Sequence, residues 1–196
     1  SIYAVFLNLS TVGIPSAIAK IISEYDTLSF KYLKEKSYKI ANKMLSTVGF
    51  FCFVIMFLFS DMIANHIIGG VSGGNTVVSI SIKVVSLALL IVPKLSILKG
   101  YFQGNRYLLE GSVSSIIEQF VRVLIIVIGS YTTVRILNMD VEYAVYVAVL
   151  GASIGAFASY LYLRKKANPL FKKNEVNEIT EKEKSITTKD LVKKII

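Results

Sequence analysis

The chain has 196 residues, of which 54% are hydrophobic and only 18% charged, with a formal net charge of +9 and a mean hydropathy of +0.60; a soluble domain carries about 25% charged residues. The basic residues stand beside apolar runs and form no arginine-rich, aromatic-interleaved face, which argues against a nucleic-acid partner. One cysteine, Cys52, gives neither a disulfide framework nor a metal-ligand spacing, and no cofactor motif is present.

Most of the chain falls into five apolar runs, each near the ~20 residues that an α-helix needs to cross ~30 Å of hydrocarbon. The expected fold is an all-α, polytopic transmembrane helix bundle of about five spans over residues 1–166. Ser1 stands inside an apolar run that lacks a basic leader and a small-residue cleavage site, so the run reads as a membrane span of a longer chain and not as a signal peptide.

Span one is expected over Ile2 to Ile22, with Pro15 removing a backbone donor and kinking it. The stretch Ser29 to Lys43 mixes lysines with Phe30, Leu33, Tyr38 and Ile40, the pattern of a solvated connector or an interfacial amphipathic helix. Span two, Met44 to Ile68, contains Cys52 and ends in the Gly-rich turn Gly69-Gly-Val-Ser-Gly-Gly-Asn75. Span three, Val77 to Leu98, carries a second kink residue, Pro93, and two lysines. Lys83 lies near one end and can snorkel, whereas Lys94 sits about 7.5 Å inside Lys99 at 1.5 Å per residue.

A short inner loop, Gly100-Tyr101-Phe102-Gln103-Gly104 and onward to Gly111, leads to span four, Ser112 to Val134. Span five, Tyr143 to Leu163, bears Gly151, Gly155 and Ser159, a small-xxx-small stripe that lets helix backbones pack closely. Residues 167–186 read as a polar cytoplasmic linker in which Glu and Lys alternate. Residues 187–196 read as the start of a further helix, because Thr187-Thr-Lys-Asp190 resembles a capping box before Leu191.

The basic residues select one orientation. If the Ser29 to Lys43 connector is cytoplasmic, Lys20, Lys31, Lys34, Lys36, Lys39 and Lys43 share a side with Lys99, Arg106, Arg164, Lys165, Lys166, Lys172 and Lys173. Only Lys83 and Arg135 are then at the other end of their spans.

Span four holds Glu118 and Arg122, spaced i, i+4 and therefore on one helix face. Each costs roughly 2.5–3.5 kcal/mol at the centre of a span on insertion scales, and such groups are kept where they line a substrate or ion path. By helical rise Glu118 lies about 9 Å beyond Ser112, near the depth of Lys94, and Arg122 about 15 Å beyond it, near the midplane. Two readings stay open: the pair neutralises itself and packs the bundle, or Glu118 is shared with Lys94 and Arg122 offers its planar fork to a phosphate or pyrophosphate. Asp61 and His66 stand at the outer end of span two, where a hydrated polar residue is unremarkable. No nucleophile triad, phosphate loop or paired buried carboxylate suggests an enzyme.

Three segments, Leu7-Asn-Leu-Ser-Thr-Val-Gly-Ile-Pro-Ser-Ala-Ile-Ala-Lys-Ile-Ile-Ser-Glu-Tyr25, Leu98-Lys-Gly-Tyr-Phe-Gln-Gly104 and Ile117-Glu-Gln-Phe-Val-Arg122-Val, resemble the polysaccharide-transporter family of bacterial flippases. Within the multidrug, oligosaccharidyl-lipid and polysaccharide exporter superfamily, the likeness is to the stage V sporulation protein B group, related to the lipid II flippase. The resemblance implies two six-helix lobes around a cavity, in the bacterial cytoplasmic membrane. This chain would be spans two to six of the first lobe, without its first span and the second lobe. It also implies membrane lipids as surroundings and an undecaprenyl pyrophosphate-linked sugar as substrate, with Glu118 and Arg122 as the safer site residues; Lys94 departs from the apolar residue expected there. A multidrug or cation antiporter of the same superfamily, and a non-transporting scaffold of a wall-synthesis complex, are the alternatives.

Overall fold

The computed structural model describes residues 14–68, 74–173 and 191. Span one before Ile14, the turn at 69–73, and the tail beyond Lys173 apart from Leu191 lie outside the described residues. The elements are α1 (Ile14–Thr27), α2 (Lys31–Leu58), α3 (Ser60–Ile68), α4 (Gly74–Ser86), α5 (Ala88–Gly104), α6 (Leu108–Leu124), two π-helical turns (Ile125–Gly129 and Thr132–Ile136) and α7 (Val141–Lys173). No strand occurs among the described residues. Four helical stretches, Lys31–Leu58, Thr76–Gly104, Leu108–Ile136 and Val141–Phe171, are long and apolar enough to cross a bilayer. Large apolar side chains such as Phe51, Leu58, Leu109, Ile116 and Phe120 are exposed along them, and Cys52 is exposed beside Phe51. The protein is an all-α, multi-pass membrane bundle.

The chain divides into two compact units. The first comprises Ser1–Ser46, Pro93–Ser114 and Tyr160–Ile196, and it contains every basic residue assigned above to the cytoplasmic side. The second comprises Thr47–Val92 and Ser115–Ser159, and it contains Lys83 and Arg135.

In the first unit α5 packs on α1 through glycine. A Cβ on Gly100 would stand 2.6 Å from the Pro15 carbonyl oxygen, and one on Gly104 would stand 2.6 Å from Ile22 Cβ and 2.7 Å from the Ala19 carbonyl oxygen. The expected inner loop is therefore helix as far as Gly104, with Gly100, Tyr101, Phe102 and Gly104 buried and Gln103 exposed. Residues 15–22, within the first of the segments that carry the family resemblance, pack against Gly100 and Gly104 of the second, because two glycines four residues apart remove the side chains that would hold the backbones apart. Pro15 lies in the first described turn of α1; the upstream arm of its expected kink is outside the described residues.

The Ser29–Lys43 stretch departs from the expected separate connector. From Lys31 onward it is the N-terminal half of the single helix α2, and Leu33, Lys34, Ser37, Tyr38 and Ala41 are buried while Lys31 and Lys39 face outward. Spacing at i, i+1, i+4, i+5 and i+8 gives one face that must be covered. Tyr38 meets Tyr101 and Phe171 with ring centroids 5.1 Å and 4.9 Å away, and Leu33 joins Ile21, Tyr25 and Leu191 in an apolar cluster. The position of Phe171 also corrects the linker boundary: α7 runs on through Pro169 to Lys173, so residues 167–173 are helical.

Lys34 is a buried lysine, its side chain 5% exposed, held by Asp26 at 2.7 Å and by Asn105 Oδ1 at 2.8 Å, while Asn105 Nδ2 donates to the Tyr101 carbonyl at 2.7 Å. An ammonium taken from water needs such partners. The two turns that carry this cluster share one geometry. Phe30 N–H donates to the Tyr25 carbonyl and Tyr107 N–H to the Phe102 carbonyl, both at 2.9 Å, with Ser29 (φ 58°) and Arg106 (φ 65°) left-handed between them. This is the Schellman closure of a helix end, made here without glycine.

In the second unit two helix breaks use one device. Ser60 Oγ donates to the Phe57 carbonyl at 3.0 Å where α2 yields to α3, and Ser86 Oγ donates to the Lys83 carbonyl at 2.7 Å where α4 yields to α5. A hydroxyl bonded back to a carbonyl competes with the helix ladder and bends it. The break at Leu87 lies six residues before Pro93, and α5 continues through Pro93 itself. Between α3 and α4, Asp61 accepts a hydrogen bond from the Ser79 hydroxyl and pairs with Lys83 at 3.3 Å, and its side chain stays exposed.

Candidate functional site

Of the three path residues expected from sequence, Glu118 and Arg122 are carried by α6 and Lys94 by α5. Counting 100° per residue, Ser115, Glu118, Gln119 and Arg122 form one polar stripe of α6, whereas Ile116, Phe120 and Val123 on other faces are exposed apolar residues suited to acyl chains. The stripe explains why this helix can be apolar enough for a membrane and still hold two charges.

α7 approaches the turn from Glu118 to Arg122 closely. A Cβ on Gly155 would lie 2.6 Å from the Glu118 carbonyl oxygen and 3.4 Å from Arg122 Cβ, and one on Gly151 would lie 3.3 Å from the Arg122 carbonyl oxygen. Further along, Gly129 lies against Val147, whose Cγ1 would be 2.5 Å from an added Cβ. Pairing of 118 with 155, 122 with 151 and 129 with 147 describes an antiparallel helix hairpin zipped by glycines. Thus the packing stripe of Gly151 and Gly155 abuts the charged turn; Ser159 continues it and is fully buried. Gly129 completes the zipper, and its signal in the sequence was only a glycine on the Arg122 side of the helix. Thr133 Oγ1 donates to the Gly129 carbonyl at 2.8 Å inside the π-helical stretch.

Arg122 Nη2 pairs with Glu118 Oε1 at 3.2 Å, and Nη1 reaches Gln119 Oε1 at 3.5 Å. The carboxylate side chain is 16% exposed and the guanidinium side chain 33%. Arg122 Nε is buried and has no hydrogen-bond partner. The ion pair is a single contact, not a bidentate fork, so the guanidinium retains donor capacity in a part of the chain where donors are costly to leave unused.

Lys94 is half-buried on α5 in the first unit, next to Pro93, whereas Glu118 is in the second unit and its ion pair is with Arg122. His66 is exposed at the end of α3. No cluster of metal-ligating side chains occurs among the described residues.

These features can be set beside known proteins. The profile of the family described as polysaccharide biosynthesis protein matches residues 1–191. The chain is 32% identical over 175 residues to the lipid II flippase MurJ of Bacillus subtilis (strain 168), a stretch covering 86% of this chain and 32% of that protein. It is 28% identical over 190 residues to the uncharacterized membrane protein YabM, covering 96% of this chain and 33% of YabM, and 28% identical over 157 residues to stage V sporulation protein B, covering 80% and 29%, both from the same organism. The chain thus spans about a third of the length of these relatives. No solved structure matches it. By its helical membrane-spanning design and by a family match over almost its whole length, the chain belongs to the polysaccharide biosynthesis protein family.

Proposed function

We propose that this chain is part of a non-enzymatic flippase that moves a lipid-linked oligosaccharide or peptidoglycan precursor across the bacterial cytoplasmic membrane, together with a second lobe of the same protein. Arg122 meets the phosphate or pyrophosphate of the passing lipid, and Glu118 orients the guanidinium between passages. The observation that carries this reading is Arg122 itself, singly paired at 3.2 Å with a buried Nε that no acceptor meets.

Magnitudes favour a functional role over packing. An i, i+4 ion pair contributes about 0.3–0.5 kcal/mol to a helix, while two charges at a span centre cost roughly 2.5–3.5 kcal/mol each on insertion scales. A pair with that balance is poor cement, and an apolar pair would pack the hairpin at least as well. A guanidinium is suited to the proposed cargo because its planar fork takes two phosphate oxygens at once. Support also comes from the relative named as a lipid II flippase.

The decisive experiment exchanges the charges in the intact protein. Glu118→Arg combined with Arg122→Glu keeps an i, i+4 pair and the net charge. Precursor translocation, followed by exposure of the lipid-linked precursor at the outer face of cells depleted of other flippases, is expected to fall to background while the protein remains in the membrane at its normal level. Retained translocation in the exchanged protein, or in one carrying Met and Leu at the two positions, reduces the pair to packing.

A further inference from the structure

The turn from α5 to α6 holds a pocket of about 320 Å³ lined by Lys99, Gln103, Tyr107, Leu108, Gly111 and Ser112. All six belong to the first unit, and none belongs to the Glu118–Arg122 site. The lining offers an ammonium, a carboxamide, a phenol and a hydroxyl, and includes no carboxylate. Such a donor set fits an anion.

Gly111 gives the pocket a second distinguishing feature. At Gly100, Gly104, Gly129, Gly151 and Gly155 an added Cβ would press on a neighbouring chain segment, which explains each glycine by packing. At Gly111 an added Cβ would meet nothing within 4 Å, and its φ is not left-handed. Neither packing nor backbone conformation calls for glycine at this helical position, where glycine weakens a helix. What it does is leave the pocket wall without a side chain, so that a ligand can approach the backbone closely.

The location points to the kind of anion. The pocket sits between two membrane-crossing stretches, Thr76–Gly104 and Leu108–Ile136, where the chain turns at the end of its spans. Beside it Leu108 and Leu109 are 62% and 78% exposed, and Tyr107 is 44% exposed. Tyrosine at such a boundary sits at headgroup level, exposed leucines offer contact to acyl chains, and basic residues on the cytoplasmic side attract anionic lipid. We propose that this pocket binds the phosphate of an anionic phospholipid, with Lys99 supplying the charge, Gln103 and Tyr107 donating hydrogen bonds, and Leu108 and Leu109 lying against the lipid's acyl chains.

The test uses the intact protein in nanodiscs of phosphatidylcholine containing a fraction of phosphatidylglycerol, with lipids retained on gentle release identified by native mass spectrometry. Phosphatidylglycerol is expected to stay bound to the wild type, to bind roughly tenfold more weakly to Lys99→Gln, as befits loss of one charge-assisted contact, and to recover with Lys99→Arg. Gly111→Leu, which fills the pocket, is expected to lose it. Thermal unfolding in the same nanodiscs checks folding, and Lys99→Gln decides the matter if Gly111→Leu does not fold. Equal retention by wild type and Lys99→Gln, or retention of phosphatidylcholine as strong as that of phosphatidylglycerol, overturns the proposal. Displacement of phosphatidylglycerol by inorganic phosphate in solution overturns the lipid assignment in favour of a soluble phosphate compound. Arg122→Ala should retain the lipid unchanged, which separates this inference from the translocation reading.

Discussion

In the first unit Gly100 and Gly104 bring α5 against α1; in the second Gly151 and Gly155 bring α7 against α6. Both pairs are spaced by four, and both include a glycine whose Cβ would fall 2.6 Å from a backbone oxygen. The faces they meet differ. At the first crossing the partner presents Pro15, Ile18, Ala19 and Ile22, and the surroundings are Tyr38, Tyr101, Phe102 and the shielded Lys34. At the second the partner presents the turn that carries Glu118 and Arg122. A glycine pair in a membrane helix therefore marks a close approach and nothing more; the residues across the crossing decide whether that approach makes a joint or positions a charge.

The largest effect that would break this comparison comes from filling the crossings. Gly104→Leu and Gly155→Leu should each destabilise the intact protein by about 1–3 kcal/mol or more, the cost of overpacking a close contact, read as a lower melting temperature in detergent. Gly155→Ala should also reduce translocation, because the displaced turn carries Arg122. Gly151→Ala should be milder in both respects, since its nearest neighbour would be 3.3 Å away. Equal losses at positions 151 and 155 would mean that crossing distance does not set the cost.

A smaller effect should follow from Lys34→Met. It removes a buried ammonium from Asp26 and Asn105, but Asp26 is 46% exposed and can rehydrate, which limits the loss to about 1–2 kcal/mol by thermal unfolding. Translocation per folded molecule should be unchanged if the first crossing is a joint. The smallest effects are gains: Arg106→Gly should relieve the left-handed turn at φ 65°, and Gly111→Ala should strengthen α6, each by about 0.5–1 kcal/mol. A loss of stability with Gly111→Ala would reveal a packing contact there.

Much of the architecture could be read without coordinates. Length and hydropathy of the runs named the membrane helices, because a bilayer demands about 20 apolar residues whatever their neighbours are. The i, i+4 spacing put Glu118 and Arg122 on one face, and that pair forms. Short-range structure was harder to read. The motif Gly100–Gly104 looked like a membrane-edge loop, since glycines and a glutamine resemble turn residues until a partner helix is seen to need them small. The Ser29–Lys43 lysines looked solvated, since a run of lysines does not reveal that Asp26 and Asn105 wait for one of them.

What the linear order of residues determined by itself is the solvent of each segment and the helical face of each charge, both local consequences of hydropathy and of 3.6 residues per turn. What only the tertiary structure decided is which small residue meets which backbone. Gly155 at Glu118, Gly100 at Pro15 and Gly111 facing open space are the same letter in the sequence, and they differ because close packing is a property of two surfaces at once.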